Sequence, residues 1–493
     1  MQNNPNISSL DYDLPTDVAT LQAEVIYLRQ ELSKLKRLIF GQKRERFVPN
    51  ANPEQLDISL DDQRSEAAAV ATETISYRRK KKSKKYTPHG RNPLPEHLPR
   101  KEIVIKPDSD VSALKKIGEE ITEELEYEPG KLYVNRYVRP KYALPQDSGV
   151  IIADLPTRPI DKGIAGPGLV AHVLISKYVD HLPLYRQRQQ FKRHDVTLPL
   201  STLTDWVRQS ADLLAPLYQQ LKTILLQAHY LQADESPLRV LDREKKGCSH
   251  LGYMWVYHSP PDGLVLFDYR KGRNRDGPNE ILQDFSGYLQ TDAYQGYNDI
   301  TAKKHVTGVG CFAHARRHFK DAQAVDAERA EWMLDRIQKL YLIERRAREN
   351  QCSHEERYQL RQQSALPILA EIQVWLDEQS KHVLPKSAIG KAIGYALGQW
   401  SRLERYTEQG YLEIDNNWIE NEIRPLALGR KNYLFAGSHE GARRAAIIYS
   451  LLATAKKHDV EPFAYLKDIF VRIKDHPFKK LNLLLPPHWT PAE

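Results

Sequence analysis

Cysteine and long apolar runs are both scarce in this sequence. Only three of its 493 residues are cysteines, at Cys248, Cys311 and Cys352. So few cysteines exclude a disulfide scaffold and predict a reducing, cytoplasmic location. No apolar run reaches the roughly 18 residues that a membrane span needs, which excludes a membrane-spanning helix. The polar stretch from Met1 to Asp17 predicts no secretory signal.

The overall composition predicts a folded chain of several parts. Hydrophobic residues make up 41% and charged residues 28%, which is typical of proteins with packed cores. At about 100–200 residues per domain, the length favours three or four parts. The 72 basic and 64 acidic residues give a formal charge of +8. This mild excess is compatible with nucleic-acid binding but does not establish it.

The first structured segment predicted is a leucine-zipper-like coiled coil over residues 17–41. Apolar residues recur there at alternating steps of three and four, which is the a/d seam of a heptad repeat. Such a narrow seam favours self-association through residues 18–39, and the alternative is one amphipathic helix packed on its own chain. The seam consists of Val18, Leu21, Val25, Leu28, Leu32, Leu35 and Ile39.

Residues 48–95 lose this periodicity and predict a linker that carries a flexible basic arm. Seven of the eight residues at positions 78–85 are basic. Such a run neutralises DNA phosphates without reading bases, although a merely solvated tail has the same composition. The basic residues are Arg78, Arg79, Lys80, Lys81, Lys82, Lys84 and Lys85.

Two small units are predicted next. Residues 96–160 form a β-containing module, in which positions 132–143 alternate like a strand. Residues 161–228 form a helical domain that resembles a helix-turn-helix unit. Ser201 is the expected cap of its reading helix, which spans 202–209.

Thr202 and Arg208 are the candidate DNA contacts of this reading helix. The alternative is three helices that pack together without entering a DNA groove.

A strand-rich region over residues 229–436 carries the candidate catalytic acids. Asp234 is predicted to end its first strand and Asp292 its fourth. The ends of adjacent strands lie about 5 Å apart, and two carboxylates at that separation repel each other unless a cation lies between them. With two Mg²⁺ ions about 4 Å apart, such a pair forms a phosphoryl-transfer site.

A helix predicted over residues 414–424 supplies the third acid. Glu420 and Glu422 flank its buried face on opposite sides, so their spacing alone does not choose between them. Asn416, Glu420 and Arg424 recur at intervals of four, and this stack favours Glu420.

These motifs together resemble the TnpC-type DDE transposases of insertion-sequence family sixty-six. The resemblance covers nearly the whole chain and implies an α/β multidomain protein with a ribonuclease-H-like core, a helical insertion at about 320–400 and a helical tail at 437–493. It also implies that Asp234, Asp292 and Glu420 bind the metal. The matching segments are 40–46 (FGQKRER), 93–100 (PLPEHLPR), 234–235 (DE), 292–297 (DAYQGY), 311–319 (CFAHARRHF), 415–425 (DNNWIENEIRP), 429–432 (GRKN) and 435–438 (FAGS).

The sequence departs from that family in one respect. Family members carry a cysteine-rich zinc module, whose cysteines would fall near 106–115 and within 142–147, and this chain has none there.

Cys311 and His314 form a pair for which only Cys248 and His250 could complete a zinc site, so we expect a structural role for the pair and no zinc. Five other cations are predicted to contact DNA phosphates, and the alternative is that they are ordinary surface charges. They are Arg316, Arg317, Arg424, Arg430 and Lys431.

The resemblance implies DNA transposition in a bacterial cytoplasm, on the nucleoid when the protein is bound to DNA. The cofactor would be Mg²⁺ or Mn²⁺, as two ions. The partners would be double-stranded DNA at the element ends and target, a second copy of the chain, and other proteins of the element. Two rival hypotheses are an inactive protein that only holds DNA ends, and a nuclease on the same fold.

Leu28→Asp combined with Leu32→Asp tests the zipper. Buried charges in the seam should cost several kcal/mol for the pair of chains. The variant should still bind one DNA end but fail to join two ends in a paired-end gel assay. Normal paired-end complexes would show that the helix packs on its own chain or on an accessory protein.

Overall fold

The described part of the chain in the computed structural model comprises Leu94, Glu96 and residues 98–492, apart from 108, 110–113, 129, 145–148, 162 and 243–247. The predicted coiled coil at 17–41 and the basic arm at 78–85 lie outside this part. None of the helices found in it is both long and apolar enough to cross a membrane.

The first sheet has four strands in the order β1-β3-β2, with the short β4 also paired to β3. β1 runs parallel to β3, and β2 and β4 run antiparallel to it. β3 contains the strand predicted over 132–143. The strands are β1 (Arg100–Val104), β2 (Lys116–Glu128), β3 (Lys131–Ala143) and β4 (Val150–Ile152).

A buried polar cluster holds the β2–β3 hairpin together. The amide of Asn135 donates to Glu124 Oε1 at 3.2 Å, and the hydroxyl of Tyr137 donates to the same oxygen. Leu125 and Val134 are fully buried beside this cluster. Hydrogen bonds and apolar packing therefore stabilise the hairpin.

Three helices follow, and the third differs from its prediction. It extends to Leu225 rather than 209, because its apolar residues continue at helical spacing from Leu203 and pack into the core. It begins after Pro199, so Ser201 lies inside the first turn and is not the cap. The helices are α1 (Pro167–Tyr178), α2 (Leu184–Arg193) and α3 (Leu200–Leu225).

The second sheet has five strands in the order β7-β6-β5-β8-β9. β5, β6 and β7 are antiparallel neighbours, whereas β8 and β9 run parallel to β5. β5 continues well past Asp234, so the prediction that this residue ends the strand is wrong. The strands are β5 (Tyr230–Leu241), β6 (Ser249–Ser259), β7 (Leu264–Arg270), β8 (Gly287–Gln290) and β9 (Val306–Val309).

The remaining helices surround this sheet or form a second apolar core beside it. α6 to α10 build the second core, and the helix predicted over 414–424 begins at Asn417 and ends at Tyr433. The domain boundaries predicted from the sequence remain predictions. The helices are α4 (Asp276–Ile281), α5 (Asn298–Thr301), α6 (Phe312–Ala322), α7 (Ala327–Glu349), α8 (His354–Leu360), α9 (Leu366–Ser380), α10 (Ala388–Leu403), α11 (Asn417–Tyr433), α12 (His439–Lys457) and α13 (Pro462–Arg472).

Arg361 attaches the second core to the segment that leads into α11. It is fully buried and pairs with Glu344 at 2.8 Å. Its guanidinium also donates to the carbonyl oxygens of Tyr406, Gln409 and Leu412 at 2.6–2.8 Å. One side chain therefore joins α7 to the chain just before the helix of Glu420.

Arg361→Ala should lower the free energy of unfolding by about 3–5 kcal/mol, because three carbonyls would lose a donor and the buried Glu344 carboxylate would keep only Arg357 as its cationic partner. Chemical denaturation measures the loss. Lys339→Ala is the control, since it removes only the exposed pair of Lys339 with Asp335 and should cost at most about 1 kcal/mol. Equal effects of the two changes would contradict the anchoring role.

Candidate active site

The parallel pairing of β5 and β8 brings the two aspartates to one place. Gln232 and Gln290 are register partners in this ladder. Asp234 and Asp292 lie two residues further along each chain, and neighbouring strands are about 4.8 Å apart. Side chains two apart on a strand share a face, so Asp234 lies on the same face of β5 as Gln232.

The electrostatics of Asp234 identify its acidic neighbours. Burial raises the pKa of Asp234 well above its usual value, and the charge of Glu235 adds to the shift. The charges of Asp292 and Glu420 act in the same direction. Three acidic side chains thus lie within electrostatic reach of this one carboxylate.

Glu422 lies elsewhere. Its side chain is buried and forms an ion pair of 2.6 Å with Lys457 on α12. It therefore contributes to the packing of α11 on α12, whereas Glu420 lies within reach of Asp234. The two acids that the sequence spacing did not separate are separated by the structure.

Glu235 is an acid to which the sequence analysis gave no role. Its side chain is buried, pairs with Arg273 at 2.6 Å and accepts from the hydroxyl of Tyr297 at 3.3 Å. Burial and the charge of Asp292 raise its pKa, although Arg273 opposes the shift. The adjacent acids in the sequence were the only signal that could have pointed to this residue.

The donor set suits a hard divalent cation. Asp234, Asp292 and Glu420 offer carboxylate oxygens, which Mg²⁺ and Mn²⁺ prefer, and a bound cation would relieve their mutual repulsion. Across the described residues, no three His, Cys, Asp or Glu side chains form a ready-made metal cluster. The acids therefore fit the chemistry of a divalent cation, but they are not preassembled as a three-residue ligand cage.

A pair of buried glutamines ties the start of α11 to the two aspartate strands. The amide of Gln232 donates to Gln290 Oε1 at 2.9 Å and to the carbonyl of Asp415 at 3.0 Å, and its oxygen accepts the N–H of Ile419 at 3.1 Å. Gln290 donates to the carbonyl of Glu413 at 2.9 Å. Both glutamines are fully buried. The sequence analysis missed them, because a glutamine in a strand carries no motif.

Side chains around residues 415–417 fix the same segment from other sides. The hydroxyl of Tyr341 on α7 donates to Asp415 Oδ2 at 2.7 Å. The thiol of Cys311 donates to Asn416 Oδ1 at 2.9 Å, and its structural role stays a prediction. Asn416 precedes the helix and faces Cys311, so it does not share a helical stack with Glu420 and Arg424, contrary to the sequence argument.

His314 lies within electrostatic reach of Asp292. Its Nδ1 atom is buried and has no hydrogen-bond partner in the described part of the chain. Burial lowers the pKa of His314, and the charge of Asp292 raises it in opposition. The structural role predicted for His314 therefore omits its electrostatic contact with the site.

Comparison with known proteins identifies the family of this chain. A family model described as the transposase IS66 family matches residues 162–444, which is more than half of the chain. The chain belongs to the IS66 transposase family. The resemblance inferred from the sequence is thereby confirmed.

Three further models of this family match other parts of the chain. They are described as Transposase C of IS166 homeodomain, zinc-finger binding domain of transposase IS66 and IS66 C-terminal element, at residues 27–103, 109–145 and 450–486. The first range begins inside the predicted coiled coil. The second range contains neither cysteine nor histidine, and in the structure it includes the β2–β3 hairpin.

The IS66 relatives include several uncharacterized proteins of Sinorhizobium fredii. Protein y4jD is 32% identical over 499 residues, which cover 97% of each chain. Protein y4hP is 30% identical and covers 95% of this chain and 89% of its own. Protein y4qI is 32% identical, with coverages of 93% and 88%. The similarity therefore extends over nearly the full length of this chain and over most of each relative.

The structure of this IS66 member places the predicted DNA contacts in different settings. Arg430 donates to the hydroxyl of Ser236 and the carbonyl of Pro237, so it anchors α11 to β5. Arg208 is exposed but paired with Asp205. Thr202 and Arg424 are half-buried on α3 and α11. Arg316 is half-buried on α6, whereas Arg317 and Lys431 are exposed.

Gln232→Leu tests the glutamine pair. It removes the partners of the Ile419 N–H and the Asp415 carbonyl, at about 1–3 kcal/mol for each buried group left unsatisfied. We expect a lower free energy of unfolding, together with faster amide hydrogen exchange at residues 415–420. Gln359→Leu, on the exposed face of α8, is the control and should change stability by about 0.5 kcal/mol or less. Unchanged exchange in Gln232→Leu would contradict the proposed attachment.

Proposed function

We propose that this IS66 family member is a DDE transposase that cuts the ends of its element and joins them to target DNA. The observation that carries the proposal is the parallel register of β5 and β8, which brings Asp234 and Asp292 to one place, where the charge of Glu420 also raises the pKa of Asp234. A packing role would not favour the gathering of like charges, since their repulsion destabilises the fold unless a cation binds there.

The sheet supports a ribonuclease-H-like classification of the core. Three antiparallel strands are followed by two parallel ones, in the order β7-β6-β5-β8-β9. In chain order, the first strand of this sheet, β5, carries Asp234, and the fourth, β8, leads to Asp292. This is the placement of acids that the resemblance to DDE transposases implies.

The proposed chemistry consists of two in-line displacements at phosphorus. In the first, the oxygen of water bonds to phosphorus while the P–O bond to the 3′ oxygen breaks, which leaves a 3′-hydroxyl. In the second, that hydroxyl attacks a phosphate of target DNA and displaces its 3′ oxygen. Bound divalent cations supply the activation of the attacking oxygen and the stabilisation of the leaving oxygen.

The protein's own residues position these groups. Asp234, Asp292 and Glu420 would hold the cations, and the two glutamines would hold the helix of Glu420 against the aspartate strands. The same carboxylates can serve both displacements, because each step develops the same kind of negative charge on the oxygens of the phosphate that undergoes attack. No covalent bond between protein and DNA is required.

The two rival functions differ from this proposal in measurable ways. A protein that only holds DNA ends would bind them without metal-dependent cleavage, and the presence of all three acids argues against it. A nuclease would cut DNA without joining it to a target. A strand-transfer assay with precut ends therefore separates transposition from both rivals.

Asp234→Asn, Asp292→Asn and Glu420→Gln test the catalytic assignment. Each should lower Mg²⁺- or Mn²⁺-dependent cleavage and strand transfer by at least about 100-fold, since a lost metal ligand removes several kcal/mol of transition-state stabilisation. DNA binding should persist, and stability should not fall, because each change reduces charge repulsion.

Glu422→Gln is the matched control on the same helix. It should weaken packing against Lys457 but retain cleavage. Full cleavage by Glu420→Gln together with loss of cleavage in Glu422→Gln would reverse the assignment of the third acid.

A further inference from the structure

α2 presents a face to solvent that contains cations and no acids. Its six exposed residues fall on one arc of about 160°, given about 100° of rotation per residue. No acid occurs in the helix, and none of its four cations forms an ion pair with another described residue. The exposed residues are Tyr185, Arg186, Arg188, Gln189, Lys192 and Arg193.

The opposite side of α2 is fixed in the protein. Gln187 is fully buried and donates to the carbonyls of Val173 and Leu182 at 3.2 and 3.0 Å. Phe191 is buried one turn later. Because Gln187 and Phe191 fix the buried side of the helix, the basic arc faces solvent in one fixed orientation.

α3, in contrast, carries acids on its outer side. Arg208 donates to Asp205 at 2.8 Å and lies 3.5 Å from Asp212. Asp212 also pairs with Arg444 at 3.3 Å. A phosphate that approached α3 would meet the carboxylates of Asp205 and Asp212, and the nearby Arg208 is already paired with them. The helix expected to read DNA is thus the less suitable of the two.

α2 also contacts the C-terminal end of α11, the helix that carries Glu420. Arg186 donates to Asn432 Oδ1 at 3.3 Å, and the exposed Lys431 precedes Asn432 on α11. Twelve residues separate Glu420 from Asn432. At about 1.5 Å per residue this is about 18 Å, which corresponds to about five base pairs of B-DNA.

We propose that the basic arc of α2, extended by Lys431, binds the phosphate backbone of double-stranded DNA about five base pairs from the cleaved phosphate. The inference rests on the proposed function, since that function supplies the DNA and the point of cleavage. α2, rather than Thr202 and Arg208 on α3, then sets the distance between the bound duplex and the carboxylates.

The test replaces Arg186, Arg188, Lys192 and Arg193 by Gln in the full chain. The probes are duplex DNA of random sequence and duplex DNA from the flanks of the gene, titrated over a range of salt concentrations. Each lost phosphate contact lowers the salt slope by about 0.9, so we expect a decrease of about 2–4 and at least about tenfold weaker binding.

Three comparison variants make the result specific. A control with the same loss of charge combines Arg346→Gln and Arg348→Gln on α7 with Lys386→Gln just before α10 and Lys391→Gln on α10. It should change the slope much less. Arg208→Gln alone should bind within about twofold of the parent. Arg186→Lys, Arg188→Lys and Arg193→Lys should retain the slope, because phosphate contacts need charge rather than the guanidinium fork.

A hydroxyl-radical footprint locates the contact. The parent should protect the backbone about five base pairs from the cleaved phosphate, and the four-Gln variant should lose this protection while its thermal unfolding stays unchanged. Parent-like binding by the four-Gln variant, or a loss confined to Arg208→Gln, would overturn the inference. A parent protein that binds DNA through α2 but never cleaves it would instead refute the proposed function alone.

Discussion

Repulsion between carboxylates is the constraint on which the rest of this structure depends. Asp234, Asp292 and Glu420 come from a strand, a loop after a strand and a helix, and their charges oppose the approach of these elements. Two neutral side chains counteract this repulsion. They lie two residues before the aspartates, and their amide groups are fully hydrogen-bonded. Gln232 and Gln290 cross-link the two strands and hold the backbone that begins the helix. Neutral amides suit this position, because another charge there would change the titration of the acids.

The helices between β9 and α11 also hold the segment that leads into α11 in place. Arg361 binds three backbone carbonyls of the segment before α11, and Tyr341 binds Asp415 within it. The acid on α11 is therefore positioned from the sheet by glutamines and from the second core by an arginine and a tyrosine. A long stretch of chain between two candidate metal-binding acids need not loosen the site when its ends are attached in this way.

The β2–β3 hairpin lies in the range that matches the zinc-finger model, and buried carboxylates connect it to the helices. The range that matches the zinc-finger model contains no cysteine or histidine. Its long strands instead bury Glu124 with Asn135 and Tyr137, and Glu126 accepts the N–H of Leu169 in the first turn of α1. Hydrogen bonds to carboxylates thus connect the hairpin to the helices, a connection that does not need a cation.

The sequence by itself determined the family, most strand and helix positions and the candidate acids, because periodicity and short motifs are local properties. Its spacing alone did not distinguish Glu420 from Glu422, since both flank the same helix face. In the structure the charge of Glu420 acts on the pKa of Asp234, whereas Glu422 pairs with Lys457. The sequence also placed Asp234 at a strand end and Asn416 in a helical stack, where β5 in fact continues and α11 has not yet begun. Tertiary structure alone decided these points and the contacts of Gln232 and Gln290, because they depend on pairings between residues far apart in the chain.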